Sequence, residues 1–239
     1  MKTTSFIIAL GAALVLSACN LNINTGENGN GKVVTEEREV NADFTEVRGS
    51  AGLDVYLTQG DDNKIVVEAD ENLLQYIETD IEDGKLHITT SENIVHSKAK
   101  KVYVTFKEIN TIEASSGADV TGNSVIKSQN LTLKSSSGAD LDVEVFAQEL
   151  IAKTSSGADL KISGKASSLN ADSSSGSELD AKELLVINCN AEASSGAEVT
   201  INVQEKLETH VSSGGNINYY GNPISVNSNE SHSGNVNKM

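Results

Sequence analysis

Ser115-Ser116-Gly117-Ala118-Asp119 returns as Ser136-Ser137-Gly138-Ala139-Asp140 and again as Ser155-Ser156-Gly157-Ala158-Asp159. It continues as Ser174-Ser175-Gly176-Ser177-Glu178, Ser194-Ser195-Gly196-Ala197-Glu198 and Ser212-Ser213-Gly214-Gly215-Asn216, with a decayed copy at Ser231-His232-Ser233-Gly234-Asn235. Successive glycines are 21, 19, 19, 20, 18 and 20 residues apart. A period held near 20 residues predicts a solenoid, in which each repeat buries its apolar face against its neighbours.

Counting outward from each repeat glycine shows what one turn contains. Seven residues before it stand Leu131, Leu150, Leu169, Cys189 and Leu207, and five before it Ile112, Leu133, Ala152, Ala171, Ala191 and Thr209. Three after it stand Val120, Leu141, Leu160, Leu179, Val199 and Ile217; Val143, Ile162, Ala181, Ile201 and Tyr219 follow at five. Odd positions are apolar or small and even positions polar, the period-2 pattern of strands with one buried face. About 13 residues of such alternation would span roughly 43 Å if straight, and the 7 or so left over reach at most about 25 Å. The chain must therefore bend within the alternating stretch, and Ser-Ser-Gly-Ala is the corner, because glycine accepts φ > 0. The predicted fold is all-β: a right-handed parallel β-solenoid, β-helix-like, with rungs of about 20 residues. The hand follows the general preference of parallel crossovers.

The N-terminus has to be set aside first. Lys2, the apolar run Phe6–Leu16 and Leu16-Ser17-Ala18-Cys19 have the form of a secretory signal ending in a lipoprotein box. The run is shorter than the roughly 20 residues of a membrane span. Residues 1–18 are expected to be the signal peptide, Cys19 the lipidated residue and 19–32 a flexible Asn/Gly-rich tether. Asn20, where an Asp would favour retention at the inner membrane, points to the outer membrane of a Gram-negative envelope. The net charge of −16 argues against nucleic acid, whose phosphates would be repelled. With Cys19 acylated, Cys189 has no disulfide partner and reads as a small buried hydrophobe.

Residues 33–110 lack the repeat but are strand-like at Thr35–Val40, Lys64–Glu68, Lys85–Thr89 and Lys101–Phe106, with turns at Gly60–Asn63 and Glu82–Gly84. They are expected to be the N-terminal β part of the solenoid, followed by the repeats and a polar tail over 111–239. A short helix is expected around Glu71–Ile77, capped by Asp70. Phe44–Val47 followed by Gly52–Leu57 has the frame of Ile109–Ile112 followed by Gly117–Val120, so an early rung is a diverged copy of the later ones.

Phe44–Val47, Asp54–Gly60, Val66–Leu73, Asp83–Ile88 and Val102–Phe106 resemble the auto-transporter adhesin head, or GIN, domain family, over roughly Phe44 to Pro223. The resemblance implies a β-solenoid on an exported protein, often a lipoprotein, and brings no established catalytic residues. An autotransporter would carry a membrane-barrel translocator of alternating strands. Residues 227–239 are polar, so the lipid on Cys19 is the expected anchor instead.

The residues two after each glycine, Asp119, Asp140, Asp159, Glu178 and Glu198, with Asp54 in the early rung, would stack as an acidic ladder. Such a ladder is either a solvated face or a calcium site, since Ca²⁺ takes six to eight oxygens. The repeat lacks the nine-residue calcium-roll pattern and offers one regular acid per rung, which favours the solvated face. Periodic acids are a structural rule rather than a catalytic pair, and His87, His96, His210 and His232 have no metal-ligand spacing. Ser-Ser-Gly is corner chemistry, not a nucleophile elbow. No catalytic residue and no cofactor beyond the lipid is expected. Tyr219-Tyr220 is the one sequential aromatic pair, with Tyr219 inward and Tyr220 a candidate contact. The expected function is non-catalytic: a surface-interaction or adhesin module for a cell-surface glycan or protein. The alternatives are a structural or calcium-stabilised envelope solenoid and, behind these, a polysaccharide-acting enzyme.

Overall fold

The computed structural model describes residues 26–230 and 233–239; Cys19 and the expected signal peptide lie outside them. Among the described residues nineteen strands follow in order, beginning with β1 (Glu27–Asn28), β2 (Val33–Arg38), β3 (Glu46–Gly49), β4 (Asp54–Gln59), β5 (Lys64–Asp70), β6 (Ile77–Glu82), β7 (Lys85–Thr90), β8 (Ile94–His96) and β9 (Lys100–Phe106). The repeats supply β10 (Thr111–Ala114), β11 (Asp119–Gly122), β12 (Ile126–Ser136), β13 (Asp140–Ser155), β14 (Asp159–Ser173), β15 (Glu178–Ala193), β16 (Glu198–Val211), β17 (Asn216–Tyr220), β18 (Ser225–Glu230) and β19 (Asn235–Lys238). From β10 onward each rung pairs in parallel with the next, giving the parallel β-solenoid that the 20-residue period predicts.

The corners carry more left-handed backbone than the glycines alone imply. Ser116, Ser137, Ser156, Ser175, Ser195 and Ser213 have φ of +50° to +58°, and the glycine after each is also positive. The amide of Ala118 donates to Ser115 O, and Ala139, Ala197 and Gly215 repeat the bond. Two positive-φ residues inside an i to i+3 bond are the type I′ arrangement. The strain at serine is held by the stack: Gly117 N–H donates to Ser137 O at 3.2 Å, Gly138 to Ser156 O at 3.1 Å, Gly157 to Ser175 O at 3.2 Å and Gly176 to Ser195 O at 3.1 Å. The parallel ladder therefore runs on through the corner at the glycine amide and the serine carbonyl.

Apolar columns fill the interior. Leu131, Leu150, Leu169, Cys189 and Leu207 are buried and stack in register, as do Val120, Leu141, Leu160, Leu179, Val199 and Ile217. Ala118, Ala139, Ala158 and Ala197 are fully buried where the chain turns. Polar atoms inside the corner satisfy one another: Thr154 and Ser173 hydroxyls lie 2.7 Å apart, and Ser177 Oγ donates to Thr154 Oγ1 at 3.0 Å. The unequal repeat intervals are absorbed away from the corners. Register slips fall between Lys161 and Gly164 and between Ala181 and Leu185, while all corner residues stay aligned.

The first half departs from a plain series of rungs. β3 and β4 form the early rung, and Ile112 pairs with Val47 and Asp119 with Asp54, as the shared sequence frame requires. The segment between that rung and β10 does not stack above it in order. It folds back beneath, where β7 pairs in parallel with β3 and β9 with β4. Antiparallel strands then close this end: β5 on β9, β2 on β5, and β6 on β7. The early rung is thus sandwiched between later segments of the chain. An antiparallel cover protects a solenoid end whose open edge would invite further strand pairing.

Two local expectations are corrected. Leu74–Tyr76 is a single 3₁₀ turn, not a helix over Glu71–Ile77, and Asp70 is no side-chain cap. Asp70 is buried at the end of β5, where its carboxylate accepts from the Gly31, Lys98 and Ala99 amides at 3.0, 3.1 and 3.2 Å. The three converging N–H groups satisfy this buried carboxylate where it stands, so it does not cap the turn that follows. The same bond holds residues 26–32, the described part of the expected tether, against the domain, where β1 also pairs with β8.

The corner geometry makes a quantitative prediction. Gly157 has φ +67° with open space beyond it, so Gly157→Ala meets only backbone strain and lowers stability by about 1–2 kcal/mol. A Cβ at Gly164 would stand 2.1 Å from Val145 O, so Gly164→Ala costs more. Ser156→Gly relieves strain at φ +58° and raises the urea midpoint. Urea unfolding of the three variants checks the order.

Candidate functional site

The corner face carries the predicted acid column, in register over its whole length. Asp54 pairs with Asp119, Asp119 with Asp140, Asp140 with Asp159, Asp159 with Glu178 and Glu178 with Glu198. The acids of the repeats point to solvent, and Asp54 is half-buried. At about 4.8 Å per rung, neighbouring carboxylates repel by about 1 kcal/mol in water. The column begins at Lys101, which pairs with Asp54, and ends in amides, Asn216 and Asn235. The amides bond to each other, Asn235 Nδ2 donating to Asn216 Oδ1 at 3.0 Å. One residue pair further along the strand, Asn218 Nδ2 reaches Glu198 Oε1 at 2.7 Å.

Crowding shows in the proton affinities. Burial and then the charges of Asp119 and Asp159 push Asp140 up, and burial, Asp159, Glu198 and Asp180 push Glu178 up. Asp54 is also raised by burial and by Asp119, against the pull of Lys100 and Lys101. On the flank before the corner the opposite design holds. Burial opposes ionisation of Glu113, but a 2.9 Å bond from Lys134 and the charges of Lys85 and Arg48 outweigh it and lower its pKa. One column is interleaved with cations and the other is not.

No three His, Cys, Asp or Glu side chains among the described residues come together as a metal cage. A single file of carboxylates at rung pitch gives each cation at most the neighbours above and below, short of the oxygens that calcium takes. His87, His96 and His210 remain apart, and His232 lies outside the described residues. Cys189 is buried between Leu169 and Leu207 with its thiol pushed up to about 12 by desolvation, which leaves it unreactive. Tyr219 packs half-buried against the core, and Tyr220 receives the Lys182 ammonium 4.8 Å from its ring centroid.

Two surface features escape a reading of the repeat alone. Tyr56 and Tyr103 stack with centroids 5.1 Å apart, although 47 residues separate them in sequence, because β9 lies against β4. The matching frames Asp54-Val-Tyr-Leu and Lys101-Val-Tyr-Val were the available signal. On the far flank, Phe146, Leu185 and Ile187 line a groove of about 340 Å³, with Phe146 58 % exposed. Phe146, Lys165 and Leu185 share one outward column.

Residues 43–223 match the family described as "Putative auto-transporter adhesin, head GIN domain". The chain belongs to the GIN domain family. The match begins one residue before Phe44 and ends at Pro223, so the early rung, the folded-back segment and the six corners up to Ser212–Asn216 fall within the GIN domain. Solved structures share the fold. A "putative adhesin" from Bacteroides fragilis superposes with a TM-score of 0.83 at 20% identity, covering 90% of this chain and 100% of that one. A second "putative adhesin", from Parabacteroides merdae, gives 0.72 at 21% identity over 89% of this chain and 98% of its own. A "putative lipid binding protein" from Parabacteroides distasonis gives 0.73 at 18% identity, covering 89% and 99%. No curated protein matches the chain.

The raised acids give a pH dependence with a definite sign. Their folded pKa values stand above the unfolded values of about 4, so the native state holds more protons and stability falls as pH rises through that window. Asp140→Asn therefore raises the melting temperature at pH 7, and the difference from wild type closes below about pH 4. Calcium at matched ionic strength raises the midpoint no further than sodium does. Thermal unfolding across pH, and in EDTA against a calcium titration, reads both.

Proposed function

We propose that this GIN-domain protein is a non-catalytic adhesin-type module, held on the outer membrane by a lipid on Cys19 and presenting its solenoid to a glycan or protein of another surface. The observation that carries the reading is the unbroken register of the outward corner column from Asp54 to Asn235. Such a stack is a rigid body whose side faces repeat the same residue types, which suits contact over an extended area rather than one reacting centre. The family description and the adhesin names of the structural relatives support it. The acidic surface supports solubility and low non-specific adhesion to anionic envelopes.

Anchorage is supported by the box Leu16–Cys19. One acyl group alone binds membranes weakly, and stable anchoring takes further chains; lipoprotein maturation supplies them as diacylglycerol on the Cys19 thiol.

Two measurements test the proposal. Metabolic labelling with palmitate should tag the wild type in the outer-membrane fraction and leave Cys19→Ala unlabelled; equal labelling would remove the anchor. Protein from Asn20 onward should bind host-cell or matrix surfaces saturably. Linear, non-saturating uptake on every surface would leave only a structural role in the envelope.

A further inference from the structure

The seam between the closed end and the repeats holds a concavity of about 510 Å³ that no repeat rule requires. At about 30 Å³ per water it has room for roughly seventeen waters, within the usual range for small-ligand sites. Its walls are the loop at residues 107–110 and the start of β12 at 127–130, with Thr45 and Gln59 between them. Gln59 fixes these walls. Its Nε2 donates to both Lys107 O and Lys127 O at 3.1 Å, and its Oε1 accepts from Lys127 N at 2.8 Å. Lys107 N in turn donates to Asn63 Oδ1, and Asn110 N to Thr45 O at 2.8 Å. The rim is thus ordered before any ligand arrives, which removes part of the entropic cost of binding.

Four side chains on this rim are left without a protein partner among the described residues: the Glu108 carboxylate, the Lys127 ammonium, and the carboxamides of Gln129 and Asn130. Together they offer an acceptor, a donor and two groups that do both. Buried Ile109 supplies an apolar floor. Donors and acceptors alternating around an apolar base match a ligand that alternates hydroxyls with C–H surface. Lys107, the second cation lining the cleft, is paired with Asp62 at 3.9 Å, so Lys127 and Glu108 are the unpaired charges and give no net attraction for a charged ligand; the chain's charge of −16 would repel an anionic polymer.

We infer that this seam cleft is a binding site for a neutral, hydroxyl-rich oligosaccharide. The inference rests on the adhesin reading and adds to it the ligand class and the place. The cleft lies apart from the acid column, so those two surfaces can be tested separately; the Phe146 groove adjoins the cleft, because Phe146 pairs with Lys127.

The experiment uses protein from Asn20 onward on a printed array of neutral, uronic-acid and sialylated oligosaccharides, followed by calorimetric titration of the best neutral probe. Wild type is expected to bind neutral probes. The Glu108→Gln/Asn130→Ala double variant should weaken binding at least about tenfold, with an unchanged melting temperature because neither side chain bonds within the protein. Asp140→Asn, on the acid column, should bind as wild type does. Binding confined to the acidic probes, no binding to any probe, or equal affinity in the double variant would each overturn the cleft assignment. Saturable cell binding that persists when the array is blank would sink the cleft and leave the adhesin reading standing; loss of both would sink the two together.

Discussion

Each turn of this protein depends on one backbone bond: the amide of the corner glycine donating to the carbonyl of the left-handed serine one rung further on. A two-residue corner with both φ values positive is poorly tolerated by any residue but glycine. The serine before it persists there because its carbonyl is fixed by the next rung and the residue after the glycine is small and buried, alanine in most corners. Remove the stack and the corner has no reason to keep its shape. The corner is therefore a product of repetition, and it enforces repetition in return, since only rungs aligned at this bond can satisfy it. That is why changes of repeat length are pushed to the far flank, near Gly164 and Lys182–Leu184, and never to the Ser-Ser-Gly edge.

Alignment at the corner has an electrostatic consequence. Residues two after the glycine must stack, so a chain that uses an acid there repeats its charge at rung pitch. The protein tolerates this by facing the column to water, starting it at Lys101 and ending it in bonded asparagines. The adjoining column on the other side of the corner takes the alternative course, with Glu113 held between Lys85 and Lys134. The contrast separates a face kept solvated and negative from one that is internally neutralised. It gives the molecule distinct sides despite a nearly uniform repeat.

The closed end is built from different physics. Asp70, deep in the interior, has three backbone amides as partners and through them ties residues 26–32, the end of β5 and the approach to β9 into one unit. Antiparallel strands β2, β5 and β6 cover the rung edges that parallel stacking alone would leave open. Folding the 85–106 segment beneath the early rung also creates what the repeats lack: a stacked tyrosine pair and a seam with rigid polar walls.

The sequence by itself determined the solenoid, the place of its corners, the inward columns including Cys189, and the in-register acids, because each follows from local periodicity and a repeated glycine. It also carried the equivalence of Phe44–Leu57 with the first repeat. The left-handed serines were not legible, since nothing in Ser-Ser-Gly separates one positive φ from two until the neighbouring rung fixes the carbonyl. Asp70 looked like a helix cap because its local sequence permits one; the competing amides lie 28, 29 and 39 residues away. The tertiary structure alone decided that the chain doubles back under its own early rung. Pairing order depends on which edges remain open, a property of the assembled sheet that no window of sequence contains.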